Sequence, residues 1–144
     1  MPDIDLPLKE SSKRLDEEEQ NRKKIILAVD DSPVILKSVL SVLSDVYKVY
    51  TLPKPTELEK ILQKLTPDLF LLDYQMPEIN GFELIPIIRN FEEHKDTPII
   101  ILTSMGTDDT LTTAIALGAS DFVVKPFQPD ILREKIAMHI VRSG

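Results

Sequence analysis

The sequence contains no cysteine. Disulfides, thiolate nucleophiles and Cys-ligated zinc or iron–sulfur centres are therefore excluded. Its two histidines, His94 and His139, lie too far apart in sequence to suggest a histidine metal cluster. The four glycines (Gly81, Gly106, Gly118 and Gly144) fall in neither a G-x-G-x-x-G nor a P-loop pattern, so a mononucleotide cradle is unsupported. Apolar runs are short, such as Ile25 to Val29 and Leu69 to Leu72, far below the roughly 20 residues of a membrane span. The acidic amino end lacks the apolar stretch of a secretory signal. With a formal charge of −7, the chain is also a poor partner for nucleic acid, which needs clustered Lys and Arg. The expectation is a cytoplasmic protein that binds neither membrane nor nucleic acid.

What remains is an ordinary globular composition of 144 residues, 42% apolar and 28% charged. The length predicts one domain, and a globule of this size buries roughly 68–70% of its unfolded surface. The first 24 residues stand apart, with five apolar residues (Met1, Ile4, Leu6, Leu8, Leu15) against thirteen charges. No core can be built from them. We read residues 1–23 as a charged tail or linker and residues 24–144 as the folded domain. Leu15 to Lys24 could still form a helix, since Glu18–Arg22 and Glu19–Lys23 are favourable i,i+4 pairs.

From Ile25 onward, short apolar runs alternate with amphipathic stretches. The runs Ile25–Val29, Lys48–Leu52, Leu69–Leu72, Ile99–Leu102 and Phe122–Val124 read as strands buried on both faces. The intervening stretches, Val34–Leu43, Glu57–Leu65, Phe82–Ile88, Leu111–Leu117 and Ile131–Val141, read as helices. Such alternation predicts an α/β fold with a five-stranded parallel sheet. Ser32-Pro33 opens the first helix as N-cap and N1. Thr56 opens the second, with Glu57 and Glu59 on its positive dipole end, and Thr107 with Asp108 and Asp109 opens the fourth. Gly118 closes the fourth. Pro86, in or just beyond the first turn of the third helix, should widen or kink it.

All strands of a parallel sheet point the same way, so their carboxyl ends share one rim, where ligands usually bind. The first run ends in Asp30 and Asp31, the third in Asp73, the fourth in Thr103 and Ser104, the fifth in Lys125. Three carboxylates, hydroxyls and one ammonium thus meet, although about 95 residues of sequence separate them. Crowded carboxylates raise each other's pKa unless a cation intervenes. Oxygen ligands with room for water suit Mg²⁺. One carboxylate can then attack a phosphoryl group as nucleophile, while the ammonium and a hydroxyl hold its oxygens.

These residues sit in motifs that resemble the receiver domain of two-component response regulators. The motifs are Val29-Asp30-Asp31-Ser32, Leu72-Asp73-Tyr74-Gln75-Met76-Pro77, Asn80-Gly81-Phe82-Glu83-Leu84, Ile101-Leu102-Thr103-Ser104, Gly118-Ala119-Ser120-Asp121-Phe122 and Val124-Lys125-Pro126-Phe127. The resemblance implies a doubly wound, flavodoxin-like fold with strand order 2-1-3-4-5 and helices on both faces. It implies Asp73 as phosphoacceptor, forming an aspartyl phosphate. Asp31, Asp73 and the Gln75 backbone carbonyl would ligate Mg²⁺, with Asp30 holding a metal-bound water. Lys125, Thr103 and the Ser104 N–H would contact the phosphoryl group, and the Lys125–Pro126 bond would be cis. Thr103 and Phe122 would act as the switch, altering the surface of the fourth helix, fifth strand and fifth helix. A fourth helix rich in β-branched Thr110, Thr112 and Thr113 has weak intrinsic propensity, which suits a two-state element.

The implied protein is a signalling switch rather than an enzyme. It would take phosphoryl from a histidine kinase or a histidine phosphotransfer protein in a phosphorelay. Gln75 and Met105 occupy positions that tune autodephosphorylation in this family, and the apolar Met105 predicts slow hydrolysis. A receiver-like module that binds partners without phosphorylation is the alternative, but degenerate members usually lose an acid or the lysine. A haloacid-dehalogenase-type phosphatase would need an Asp two positions after the first, where Ser follows Asp31 instead. Residues 1–24 resemble an interdomain linker, which favours a receiver excised from a longer protein over a stand-alone regulator. Homodimerisation through the fourth and fifth helices is left open.

Overall fold

The computed structural model describes residues 23–143 apart from Met105. The readings placed on residues 1–22 and on Met105 lie outside the described residues. Lys23 and Lys24 are non-helical chain leading into the first strand.

Five strands, β1 (Ile25–Val29), β2 (Lys48–Leu52), β3 (Leu69–Asp73), β4 (Ile99–Thr103) and β5 (Asp121–Val124), form one parallel sheet in the order 2-1-3-4-5. Five α-helices alternate with them: α1 (Pro33–Leu43), α2 (Leu58–Leu62), α3 (Gly81–Arg89), α4 (Asp108–Leu117) and α5 (Pro129–Ser143). This is the flavodoxin-like architecture expected from the sequence. Successive strand residues point to opposite faces, and here both faces are covered. Ile26, Ala28, Leu69 and Leu71 pack with Leu36, Val39, Leu132 and Ile136 of α1 and α5. Leu27, Val29, Phe70 and Leu72 pack with α2, α3 and α4 through Leu58, Leu84, Ile85, Ile88 and Ala114. Hence β1, β3 and β4 carry continuous apolar runs, each residue being core to one side or the other. The edge strands differ. β2 is only half-buried along most of its length, and Val124 of β5 is exposed. They were expected to be buried on both faces; at an edge, helices cover only the inner flank.

Local chemistry accounts for the helix limits. Ser32 Oγ accepts the Ile35 N–H with Pro33 at N1, and Thr107 Oγ1 accepts the Thr110 N–H. Gly118 ends α4 in the left-handed region at φ 114°, where a side chain would be strained. Asn80 and Glu83 form a reciprocal capping box at α3, a signal visible in the sequence that we had not read. The second helix corrects expectation. A 3₁₀ turn, Pro55–Glu57, precedes α2, so Thr56 lies inside that turn and caps nothing. Pro53 and Pro55 fix the local backbone and remove donors, which moves the start of the α-helix to Leu58. It stops at Leu62, short of Leu65, because Pro67 biases Thr66 towards extended geometry. Pro86 sits in the second turn of α3, just beyond the first. It cannot donate to the carbonyl four residues back, but it faces outward while Leu84, Ile85 and Ile88 are fully buried. Packing holds α3 where propensity does not.

At the sheet edge remote from the rim, Arg89 ties three segments together. Its guanidinium donates to the carbonyls of His94 (2.8 Å), Thr97 (2.6 Å) and Gly118 (2.7 Å). His94, in a 3₁₀ turn (Glu92–His94), is buried with its ring edge-on to Phe70 at 5.0 Å. The Thr97 hydroxyl donates to the Glu93 carbonyl and so accepts from His94 Nδ1 at 2.9 Å. That leaves Nε2 as a bare, buried acceptor.

Two outcomes follow. A Cβ at Gly81 would stand 2.5 Å from the Asp73 carbonyl oxygen and 3.1 Å from its carbon, both rigid backbone. Gly81→Ala should lower stability in urea melts by about 1–3 kcal/mol, the usual cost of overpacking. Burial holds His94 below its ordinary 6.5. A base depressed in the folded state contributes stability that is full above its unfolded pKa and declines as pH falls below it. NMR titration should show His94 neutral below pH 6.5, and thermal stability should carry a loss over the same window.

Candidate functional site

Three strand ends deliver the site. Asp30 follows β1, Asp73 is the last residue of β3, and Lys125 follows β5. The strands carry them because register is fixed by two-faced burial, which permits no slip without exposing core. Asp73 itself belongs to the strand, paired in register with Leu102, and Thr103 ends β4 opposite Val124. The backbone closes the rim: Tyr74 N–H donates to the Leu102 carbonyl at 2.8 Å, and Lys125 N–H to the Thr103 carbonyl at 2.7 Å. Behind Asp73, Gly81 lets α3 abut the strand, and its N–H donates to the Tyr74 carbonyl at 2.9 Å.

Lys125 reaches inward from β5. Its Nζ lies 2.7 Å from Asp73 Oδ1 and 3.3 Å from Asp30 Oδ2. Both carboxylates are nearly inaccessible, at 1% exposure for Asp30 and 4% for Asp73. Asp31, by contrast, is exposed, yet it offers an oxygen within 4.8 Å of those of Asp30 and Asp73. The other oxygen of Asp30 accepts the Ser32 N–H at 2.9 Å, which fixes the loop between β1 and α1.

Electrostatics follow from this crowding. Burial pushes the Asp30 carboxyl up to about 6, with the Asp73 charge adding to the rise and the Ser32 N–H and Lys125 opposing it. Burial alone would lower Lys125, but its hydrogen bond to Asp73 and the charges of both aspartates outweigh it and raise its pKa. The ammonium therefore stays charged. Three carboxylates and one ammonium leave two negative charges uncompensated in a half-dry pocket. An all-oxygen donor set with excess negative charge and one exposed member fits a hard divalent cation that keeps part of its water shell.

The remaining expected residues sit around this cluster. Thr103 is buried at the end of β4, while Ser104 and Gln75 are exposed in the adjoining loops. The Lys125–Pro126 bond is cis. Asp31, Lys54, Glu57 and Glu78, with three prolines, line a cleft of about 390 Å³ beside the rim. Phe122 lies outside the carboxylate cluster. It pairs in register with Ile101 and is half-buried on the α2–α4 side of the sheet. A group that sequence reading missed surrounds it: Asp121, Lys135 and His139 are linked by contacts of 2.8 and 2.9 Å. The missed signal was the i,i+4 spacing of Lys135 and His139, which puts both on one face of α5.

Comparison with known proteins converges on one family. The sequence profile of the response regulator receiver domain matches residues 26–137. A probable transcriptional regulator, ycf27, of Galdieria sulphuraria is 37% identical over 119 residues, covering 81% of this chain and 45% of that protein. The chain thus spans about half the length of such relatives. Chemotaxis protein CheY1 of Helicobacter pylori is 32% identical over 114 residues, which cover 77% of this chain and 92% of that one. Among solved structures, Vibrio cholerae chemotaxis protein CheY4 aligns with a TM-score of 0.78 at 33% identity, covering 81% of this chain and 98% of that one. No helix among the described residues is long and apolar enough to cross a membrane. With its strand order, its acidic rim and a profile match over most of its length, the chain belongs to the response regulator receiver domain family.

Proposed function

We propose that the chain is a phosphoacceptor switch in which Asp73 takes a phosphoryl group from a phosphohistidine donor, a histidine kinase or a histidine phosphotransfer protein. The observation that carries this reading is the Lys125 ammonium 2.7 Å from Asp73 Oδ1 inside a buried carboxylate cluster. A carboxylate oxygen of Asp73 forms the new O–P bond as the donor's N–P bond breaks, and the electron pair leaves with the imidazole. Lys125 stays protonated throughout and can pass from the Asp73 carboxylate to an oxygen of the arriving group. Thr103 and the Ser104 N–H, at the end of β4, take the other phosphoryl oxygens.

The carboxylates of Asp31 and Asp73 and the Gln75 carbonyl would hold Mg²⁺, and Asp30 would hold one of its waters. When bound, Mg²⁺ supplies the positive charge that offsets the crowded carboxylates and the incoming phosphoryl oxygens. Around the site, Val34, Ile35, Val42 and Phe127 line an apolar groove between α1 and the turn after Lys125. Phosphorylation then shifts Thr103 and Phe122 and, through them, the surface of α4, β5 and α5. The product is a signal rather than a released metabolite, so the chain is a switch and not an enzyme in the usual sense. Residues 1–23 serve as a charged tail or linker beside the domain of residues 24–144.

Intact mass after incubation with acetyl phosphate tests this directly. Wild type should gain a single phosphoryl adduct with Mg²⁺ and little without it, and Asp73→Asn should gain none. No adduct in wild type under any condition would overturn the reading. A pH dependence is also expected. In the metal-free protein Asp30, with its raised pKa, takes up a proton as pH falls through about 6. Mg²⁺ affinity measured by calorimetry should weaken below that pH, and Asp30→Asn should remove most of the dependence.

A further inference from the structure

Phe122 belongs to an edge strand, and its ring packs on the α2–α4 side of the sheet. Lys135 comes from α5, which packs on the other side. It nonetheless reaches around the edge and sets its Nζ 4.8 Å from the centroid of the Phe122 ring. The ammonium does not hang free there. Asp121 Oδ1 accepts from it at 2.8 Å, and the same oxygen accepts the Phe122 backbone N–H at 2.8 Å. The second oxygen, Oδ2, meets His139 Nε2 at 2.9 Å. One carboxylate therefore gathers the backbone of Phe122, the cation over its ring and a second group from α5. Lys135 is about a quarter exposed at its side chain, so water weakens the contact only in part. A cation held over an aromatic face is an attraction that the ring must give up to move away.

We infer that Lys135, pinned by Asp121, is a positioning residue that holds the Phe122 ring in the place it takes while Asp73 is unmodified. The inference rests on the switch role given to Phe122 above and adds its restraint. The ring position seen here accompanies a direct Lys125–Asp73 bond, which a phosphoryl group on Asp73 would displace. Lys135 thus opposes activation, and its loss should make the phosphoryl-bound state easier to reach. The contact also links the two faces of the sheet across the open edge of β5, so a change at α5 can bias the ring. Any partner that draws the Lys135 ammonium away would favour phosphorylation, and the reverse coupling is required by linkage.

The test is beryllofluoride binding with Mg²⁺, followed by calorimetry, as a stand-in for the phosphoryl group. Lys135→Met keeps the length of the side chain and removes its charge. It should tighten binding about two- to fivefold, the size of one partly exposed cation–π contact, and Lys135→Arg should return the affinity to that of wild type. Damage to the fold would weaken binding, so tightening cannot arise from misfolding. In a Phe122→Leu background the effect of Lys135→Met should vanish, since no ring is left to hold. Unchanged or weaker binding in Lys135→Met, or equal tightening without the ring, overturns the inference while leaving the phosphoacceptor reading intact. A wild type that neither binds beryllofluoride nor forms the Asp73 adduct refutes that reading and the restraint with it.

Discussion

The Lys125 ammonium, wedged between Asp73 and Asp30, is the contact on which the rest of the rim depends. Two nearly inaccessible carboxylates with a third at their side repel one another, and desolvation makes each charge costlier than it would be in water. The single cation is supplied by the far end of the sheet, at a strand that does not touch β1. Every element between must therefore be in place before the charges are balanced. Removing one partner of such a buried pair generally costs about 3–5 kcal/mol, because it leaves the other charge unpaired. The pairing is also incomplete, and the two uncompensated negative charges give the site its capacity for a divalent cation.

The supporting structure shows the same economy of placement. Gly81 permits α3 to press its first residue against the carbonyl of Asp73, and the Asn80–Glu83 capping box fixes where that helix starts. Asp73 is thus held from behind by backbone and from the side by Lys125. Arg89 does comparable work at the opposite end of the sheet, where its guanidinium donates to three backbone carbonyls at once.

Phe122 and Lys135 meet at the β5 edge, where the sheet is only partly covered. An edge strand can shift without disturbing the central strands, whose residues are core to both faces. A charged side chain that reaches around such an edge connects elements that the sheet otherwise keeps apart.

Much of this was legible in the sequence. Unalternating runs such as Leu69 to Leu72 identified buried parallel strands, because only residues with core on both sides can dispense with polar alternation. Strand polarity then put Asp30, Asp31, Asp73, Thr103 and Lys125 on one rim, and Ser32, Thr107 and Gly118 marked helix ends by local chemistry alone. The strand order came from family resemblance, since periodicity carries no information about which strands are neighbours. Where local signals competed, sequence reading went wrong. Thr56 looked like a cap, but Pro55 beside it dictated a 3₁₀ turn. The 2.7 Å contact of Lys125 with Asp73, the close approach of Gly81 and the reach of Lys135 across the β5 edge were not legible. The sequence by itself determined which residues share the rim, through burial pattern and strand direction, which are properties of short segments. Only the tertiary structure decided which of them touch, because distances between segments depend on how the helices pack across the sheet.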